Sequence, residues 1–240
     1  MTKSIKNAIF ALIELSHIGF FINFAVENEF FMKDQKVISS YMASLRERIL
    51  DTAMHDFVAK GIKAVKMDDI AQTLGISKRT LYEIFYNKES LLLACIKKFK
   101  EMKDAELACL YEQSDNVMDI IVALYRQKVE EFHTTCPDFY SDMYKYPSVI
   151  ELFREDARCS HERFMGFLKR GVDEGYFRDD VNMEIVSRIF NALSAYIMEN
   201  QLYREFSIEE VFHNLIFVSL RGFSTQKGVE LLDHYLNIKA

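Results

Sequence analysis

Within eight residues, Arg79, Tyr82, Glu83 and Tyr86 offer the chemistry most legible in this sequence. At about 100° per residue with Leu81 at zero, they fall near 160°, 100°, 200° and 140°, while Leu81, Ile84 and Phe85 face the other way. A short helix with one cationic, phenolic and acidic stripe can enter the major groove of a duplex. Arg79 can donate two hydrogen bonds to guanine O6 and N7, Tyr82 and Tyr86 can reach phosphates or thymine methyls, and Glu83 can accept from cytosine N4 or orient Arg79. Lys88 follows as the first residue of a helix capped by Asn87. A helix N-terminus carries partial positive charge and disfavours lysine, unless an external phosphate meets both the ammonium and the free N–H groups.

The elements that position this stripe have their own signatures. Ser44-Leu45-Arg46-Glu47 has capping-box spacing, Leu45, Ile49, Ala53 and Phe57 recur every four residues, and Gly61 stands at a C-terminal glycine position, which predicts a helix over 45–60. Met67, Ile70, Ala71 and Leu74 form one face of a second helix closed by Gly75. Ser77 is an N-cap, and Ile76 with Leu81 makes a hydrophobic staple, so a third helix starts almost at once. Two short helices so joined are a helix-turn-helix.

Asp69-Ile70-Ala71, Gly75-Ile76-Ser77-Lys78-Arg79-Thr80-Leu81-Tyr82, Phe85, Lys88-Glu89 and Leu91-Leu92 together resemble the N-terminal domain of TetR-type (TetR/AcrR-like) transcriptional regulators, over roughly residues 44–95. The resemblance implies an all-α homodimer: an N-terminal three-helix helix-turn-helix DNA-binding domain followed by a larger helical domain for dimerisation and effector binding. Carried over residue by residue, it places Lys78, Arg79, Thr80 and Tyr82 on the recognition helix and Lys88 on backbone phosphate, and the N-cap Ser77 is expected among the DNA-binding residues with them. Lys66 departs from the Ser or Thr often found near the start of the second helix, although Asp68 and Asp69 suit a first-turn dipole.

The organisation expected is 1–41 as an N-terminal extension, 42–95 as the DNA-binding domain and 96–240 as the effector and dimer domain. Helices are predicted over 117–133, 155–174, 183–200, 208–220 and 226–236, with a short aromatic piece around 139–146 bracketed by Pro137 and Pro147. The helices over 183–200 and 208–220 are apolar over a broad arc, and such helices need partners on two sides. One side can be a second subunit, with Ile185, Ile189, Leu193, Tyr196, Phe212, Leu215 and Ile216 as the dimer contact. Phe132, Phe139, Tyr140, Met143, Tyr144, Phe164, Phe167 and Leu168 are the expected lining of an effector pocket, and the same cluster also reads as plain core.

Composition supports the helical class. Eight Gly and two Pro in 240 residues exclude collagen-like, linker-rich and turn-rich β architectures, and a chain half apolar is not intrinsically disordered. Residues 42–103 hold 12 Lys/Arg against 8 Asp/Glu, whereas 104–240 hold 14 against 24, so the basic segment alone suits a polyanion. Cys95, Cys109, Cys136 and Cys159 lack metal or disulfide spacing, and no nucleotide-loop, zinc-protease or hydrolase motif is present. The reading is therefore not an enzyme, without cofactor or metal. Together with the resemblance, the expectation is a cytoplasmic repressor that binds a near-palindromic double-stranded operator DNA and is released by a small-molecule effector, with no stable membrane association. A helical sensor or scaffold without DNA binding is one alternative. A regulator tethered through 5–26 is the other, although that apolar stretch is interrupted by charge. The first 31 residues also read as an extra helix or as untranslated sequence ahead of Met32 or Met42.

Overall fold

The computed structural model describes residues 33–236, so the expectations for residues 1–31 and the tethered alternative lie outside the described residues, as does the side chain of Cys159. The described residues contain helices and no strand, apart from a lone bridge between Phe177 and Ser224. They divide into two compact units. One joins residues 33–101 with Asp138–Val149, and the other joins Met102–Pro137 with residues 150–236.

In the first unit α1 runs Lys33–Lys60, α2 Met67–Leu74 and α3 Lys78–Ile84. Leu45, Ile49, Ala53 and Phe57 are all buried, so the four-residue stripe is the inner face of α1. Ser44, expected as its N-cap, instead lies inside the helix. No Gly or Pro separates Lys33 from Ser44, so nothing breaks the helix there, and the Ser-x-x-Glu spacing caps nothing. Gly61 ends α1 at φ +81°, its N–H donating to Phe57 O at 2.9 Å. A Cβ there would lie 3.0 Å from that of Asp138, so both the backbone and the space ask for glycine.

Lys66 offers no acceptor to the first turn of α2; the Asp69 carboxylate reaches back to its N–H at 3.3 Å, half of a capping box. Gly75 adopts the left-handed conformation, and the N–H groups of Gly75 and Ile76 return to Gln72 and Ala71. Ser77 Oγ then accepts from Thr80 N at 3.0 Å and opens α3. Asn87 Oδ1 accepts from Ser90 N at 2.8 Å and opens α4, Lys88–Gln113.

In the remainder, α5 is Val117–Thr134, α6 Pro137–Met143, α7 Pro147–Asp173 and α8 Met183–Glu199. A 3-10 turn at Leu202–Arg204 precedes α9 Ile208–Val211, a π turn Phe212–Ile216, α10 Phe217–Phe223 and α11 Gln226–Tyr235. Both prolines are first helical residues, where a missing N–H costs nothing, so Pro147 starts α7 eight residues ahead of the predicted Glu155. Ser207 and Glu210 form the expected capping box. The predicted uniform helix over 208–220 instead contains the π turn, whose extra residue rotates the register so that Val211, Phe217 and Leu220 are all buried.

An ion pair near the end of α7 ties three helix ends together. Arg170 donates to the Tyr111 carbonyl in the last turn of α4 and to the Ser114 carbonyl just after it, at 3.1 and 3.0 Å, and Glu174 accepts the first N–H of α5, Val117, at 2.8 Å. Each charge thus sits where the neighbouring helix dipole favours it. Arg170→Ala is expected to destabilise the protein by about 1–3 kcal/mol, since it strands two carbonyls and a carboxylate. Urea unfolding checks this, and an unchanged midpoint would show that water replaces the guanidinium freely.

Candidate nucleic-acid interface

Leu81 and Phe85 are buried, and this turns the opposite side of α3 outward. The Arg79 side chain is 88% exposed, Tyr82 is 47% exposed and Tyr86 85%, with Lys78 and Glu83 also open to solvent. Tyr86 reaches this surface from a loop and not from the helical stripe. Phe85 leaves the helix at φ −130° to bury its ring, so α3 stops at Ile84. Ser77 and Thr80 serve the cap, their hydroxyls 2.8 Å apart. The Asp68 carboxylate holds Lys78, and Glu83 Oε1 accepts from Arg79 Nε at 2.8 Å, each pair raising the pKa of its cation.

Lys88 corrects the sequence reading. Its ammonium donates to the Val65 carbonyl and to that of Lys63 at 3.3 Å, and lies 6.0 Å from the centre of the Phe57 ring. It therefore fastens the turn between α1 and α2 and is not held out for a phosphate. Burial lowers its pKa, partly opposed by the charge of Asp142.

Asp142 holds the same turn from the other side, which the sequence reading missed. Its buried carboxylate accepts from the Lys63 N–H at 2.7 Å and from Lys145 Nζ at 2.6 Å. Ser148 adds a second tie by donating its N–H and hydroxyl to Glu89. Phe139, Tyr140, Met143 and Tyr144 accordingly belong to the same unit as α3, and none of them lines the cavity of the other unit. The aromatic cluster showed no sign of which core it would join.

That cavity holds about 1080 Å³ of empty space, including its open mouth. Phe164, Phe167 and Leu168 line it as expected, together with Tyr125, Phe190, Phe212, Phe217 and Phe223. Phe132 is not among the lining residues; its ring lies 5.9 Å from that of Tyr203. Phe212 and Ile216, assigned to a dimer contact, are lining residues instead, because the π turn directs them inward. Leu193 and Leu215 are half-buried, and Ile185, Ile189 and Tyr196 form one exposed apolar face of α8. Val218 on α10 is exposed as well. Cys95 is buried, and desolvation pushes its thiol up to about 12, which leaves it inert.

A tight helix-turn-helix whose second helix offers only polar and aromatic groups to solvent defines a DNA-binding module, and the described residues around it are helical. Residues 49–95 match the family of bacterial regulatory proteins, tetR family. The chain is 24% identical over 156 residues to the HTH-type transcriptional repressor KstR2 of Mycobacterium tuberculosis, covering 63% of this chain and 78% of that one. It is 28% identical over 149 residues to KstR2 of Rhodococcus jostii, covering 60% and 72%. In fold it resembles a TetR-family regulator from Agrobacterium tumefaciens, with a TM-score of 0.61 at 17% identity over 77% of this chain and all of that one. Residues 49–95 thus carry the N-terminal domain of the tetR family of bacterial regulatory proteins.

The Asp142 tie has a pH signature. Burial works to raise its carboxyl pKa, but the bonds from Lys145 and the Lys63 N–H outweigh that and hold it below the ordinary aspartate value. A depressed folded-state pKa contributes stability above the unfolded value of about 3.9 that is lost as pH falls through the lower folded value. Asp142→Ala is expected to cost about 1–3 kcal/mol at neutral pH. Denaturant titration should show the gap to wild type shrinking below about pH 4. A gap independent of pH would mean that the charge of Asp142 contributes nothing.

Proposed function

We propose that the chain is a dimeric, cytoplasmic repressor whose two α3 helices occupy successive major grooves about 34 Å apart on a near-palindromic operator. The observation that carries this is the outward face of α3, where a guanidinium, an ammonium and the Tyr82 phenol stand in solvent on a helix whose other face is buried, with Tyr86 exposed in the loop that follows. The repressor relatives are consistent with it. Within the described residues no helix is long and apolar enough to cross a membrane.

The exposed face of α8, Ile185, Ile189 and Tyr196, supports a second copy as its partner, because contiguous exposed apolar side chains mark association surfaces. The cavity supports a small, largely apolar effector: its walls are mainly aromatic and aliphatic, with Lys103, Gln127, Lys128, Glu131 and Ser194 as the polar groups among its lining. Effector occupancy lowers operator affinity by favouring a conformer with the wrong helix separation, and it does so only to the extent of its differential affinity for the two conformers.

Arg79→Ala is expected to weaken operator binding about 10- to 100-fold and to relax base preference at one position, read by gel shift with the DNA upstream of the protein's own gene. Unchanged affinity would remove α3 as the reading element. Ile189→Asp should convert dimer to monomer in sedimentation equilibrium, since it puts a charge at the centre of the apolar face; a variant still dimeric would move the contact elsewhere.

A further inference from the structure

Both cations of the α3 outer face are already paired within the chain. Asp68 of α2 holds the Lys78 ammonium, and Glu83 Oε1 holds Arg79 Nε at 2.8 Å. All four side chains are about half exposed or more, so burial does not force the pairing. Helix stability does not ask for it either. Lys78 and Arg79 occupy the first turn of α3 and Glu83 the last, the reverse of what the helix dipole favours. An i,i+4 pair with its acid on the C-terminal side is also the weaker of the two orders. The charges are arranged for something outside the helix.

Resting on the duplex-binding reading above, we propose that Asp68 and Glu83 are specificity determinants that suppress binding to arbitrary DNA while leaving operator recognition intact. On an arbitrary duplex the attraction comes from cations that displace counterions from phosphates. Lys78 and Arg79 reach a phosphate only by leaving their carboxylates or by carrying them toward the polyanion, and both routes cost free energy. On the operator the demand differs. Guanine O6 and N7 take two donors from one guanidinium, and the two terminal nitrogens of Arg79 make no hydrogen bond among the described residues. Arg79 can therefore read a guanine with Nε still on Glu83, which fixes the plane of the donor fork. Glu83 acts through Arg79 as a positioning residue, and the same carboxylate penalises contact with any other sequence.

The test uses the full chain as wild type, Asp68→Asn and Glu83→Gln, titrated by fluorescence anisotropy at three salt concentrations. One duplex is an operator enriched from a random library by the wild-type protein; the other is a scrambled duplex of the same composition. Each variant should bind the scrambled duplex about 2- to 5-fold more tightly, the worth of one exposed ion pair. The slope of log affinity against log salt on that duplex should steepen by about 0.9. Glu83→Gln should bind the operator no more tightly than wild type, so its specificity ratio falls. Equal factors on both duplexes, or an unchanged salt slope, would overturn the proposal. A wild-type protein that enriches no sequence and binds neither duplex would overturn the duplex-binding reading, and this inference with it.

Discussion

Helix α3 has seven residues, well short of the dozen or so that an isolated helix needs to persist in water. It exists because Ser77 caps its first turn and because Leu81 and Phe85 are buried. Those two burials also fix its rotation, and with it the direction of Arg79 and Tyr82. Register, stability and reading face are thus one constraint. Any change that lets Leu81 roll outward would carry the guanidinium away from a groove without touching it.

The turn before α2 shows how the rest of the unit serves that constraint. Lys63 and Val65 present their carbonyls to Lys88, and the Lys63 N–H is taken by Asp142. Two charges from distant parts of the sequence therefore satisfy backbone groups that no helix completes. A displacement of α6 would be felt at once in this turn, whose Lys63 and Val65 lie four and two residues before α2 begins. A segment of sequence that sits between α5 and α7 is thereby bound to the reading head.

Much of this was legible in the residues alone. The buried stripe of α1 from Leu45 to Phe57, the glycine stops at 61 and 75 and the Ser77 cap are local, and local rules located them. What failed did so for nonlocal reasons. Lys88 carries a charge that suits a phosphate, and nothing in its neighbourhood announces two carbonyls more than twenty residues earlier. Asp142 lies 79 residues from the amide it caps. The aromatic cluster around Tyr140 has the composition of a pocket wall, yet composition does not say which core a helix joins. The π turn at Phe212–Ile216 keeps helical periodicity on both sides, so the rotation that takes Phe212 and Ile216 off the outer face leaves no trace in the pattern.

If α3 lies in the major groove, it must cover guanine N7. The most direct measurement is methylation interference on the enriched operator, because dimethyl sulfate modifies that atom in the groove itself. The expected result is interference at guanines in two clusters about one helical turn apart, with the Arg79-dependent guanine of each cluster silent in Arg79→Ala. Interference confined to adenine N3 in the minor groove, or none at any guanine, would contradict it.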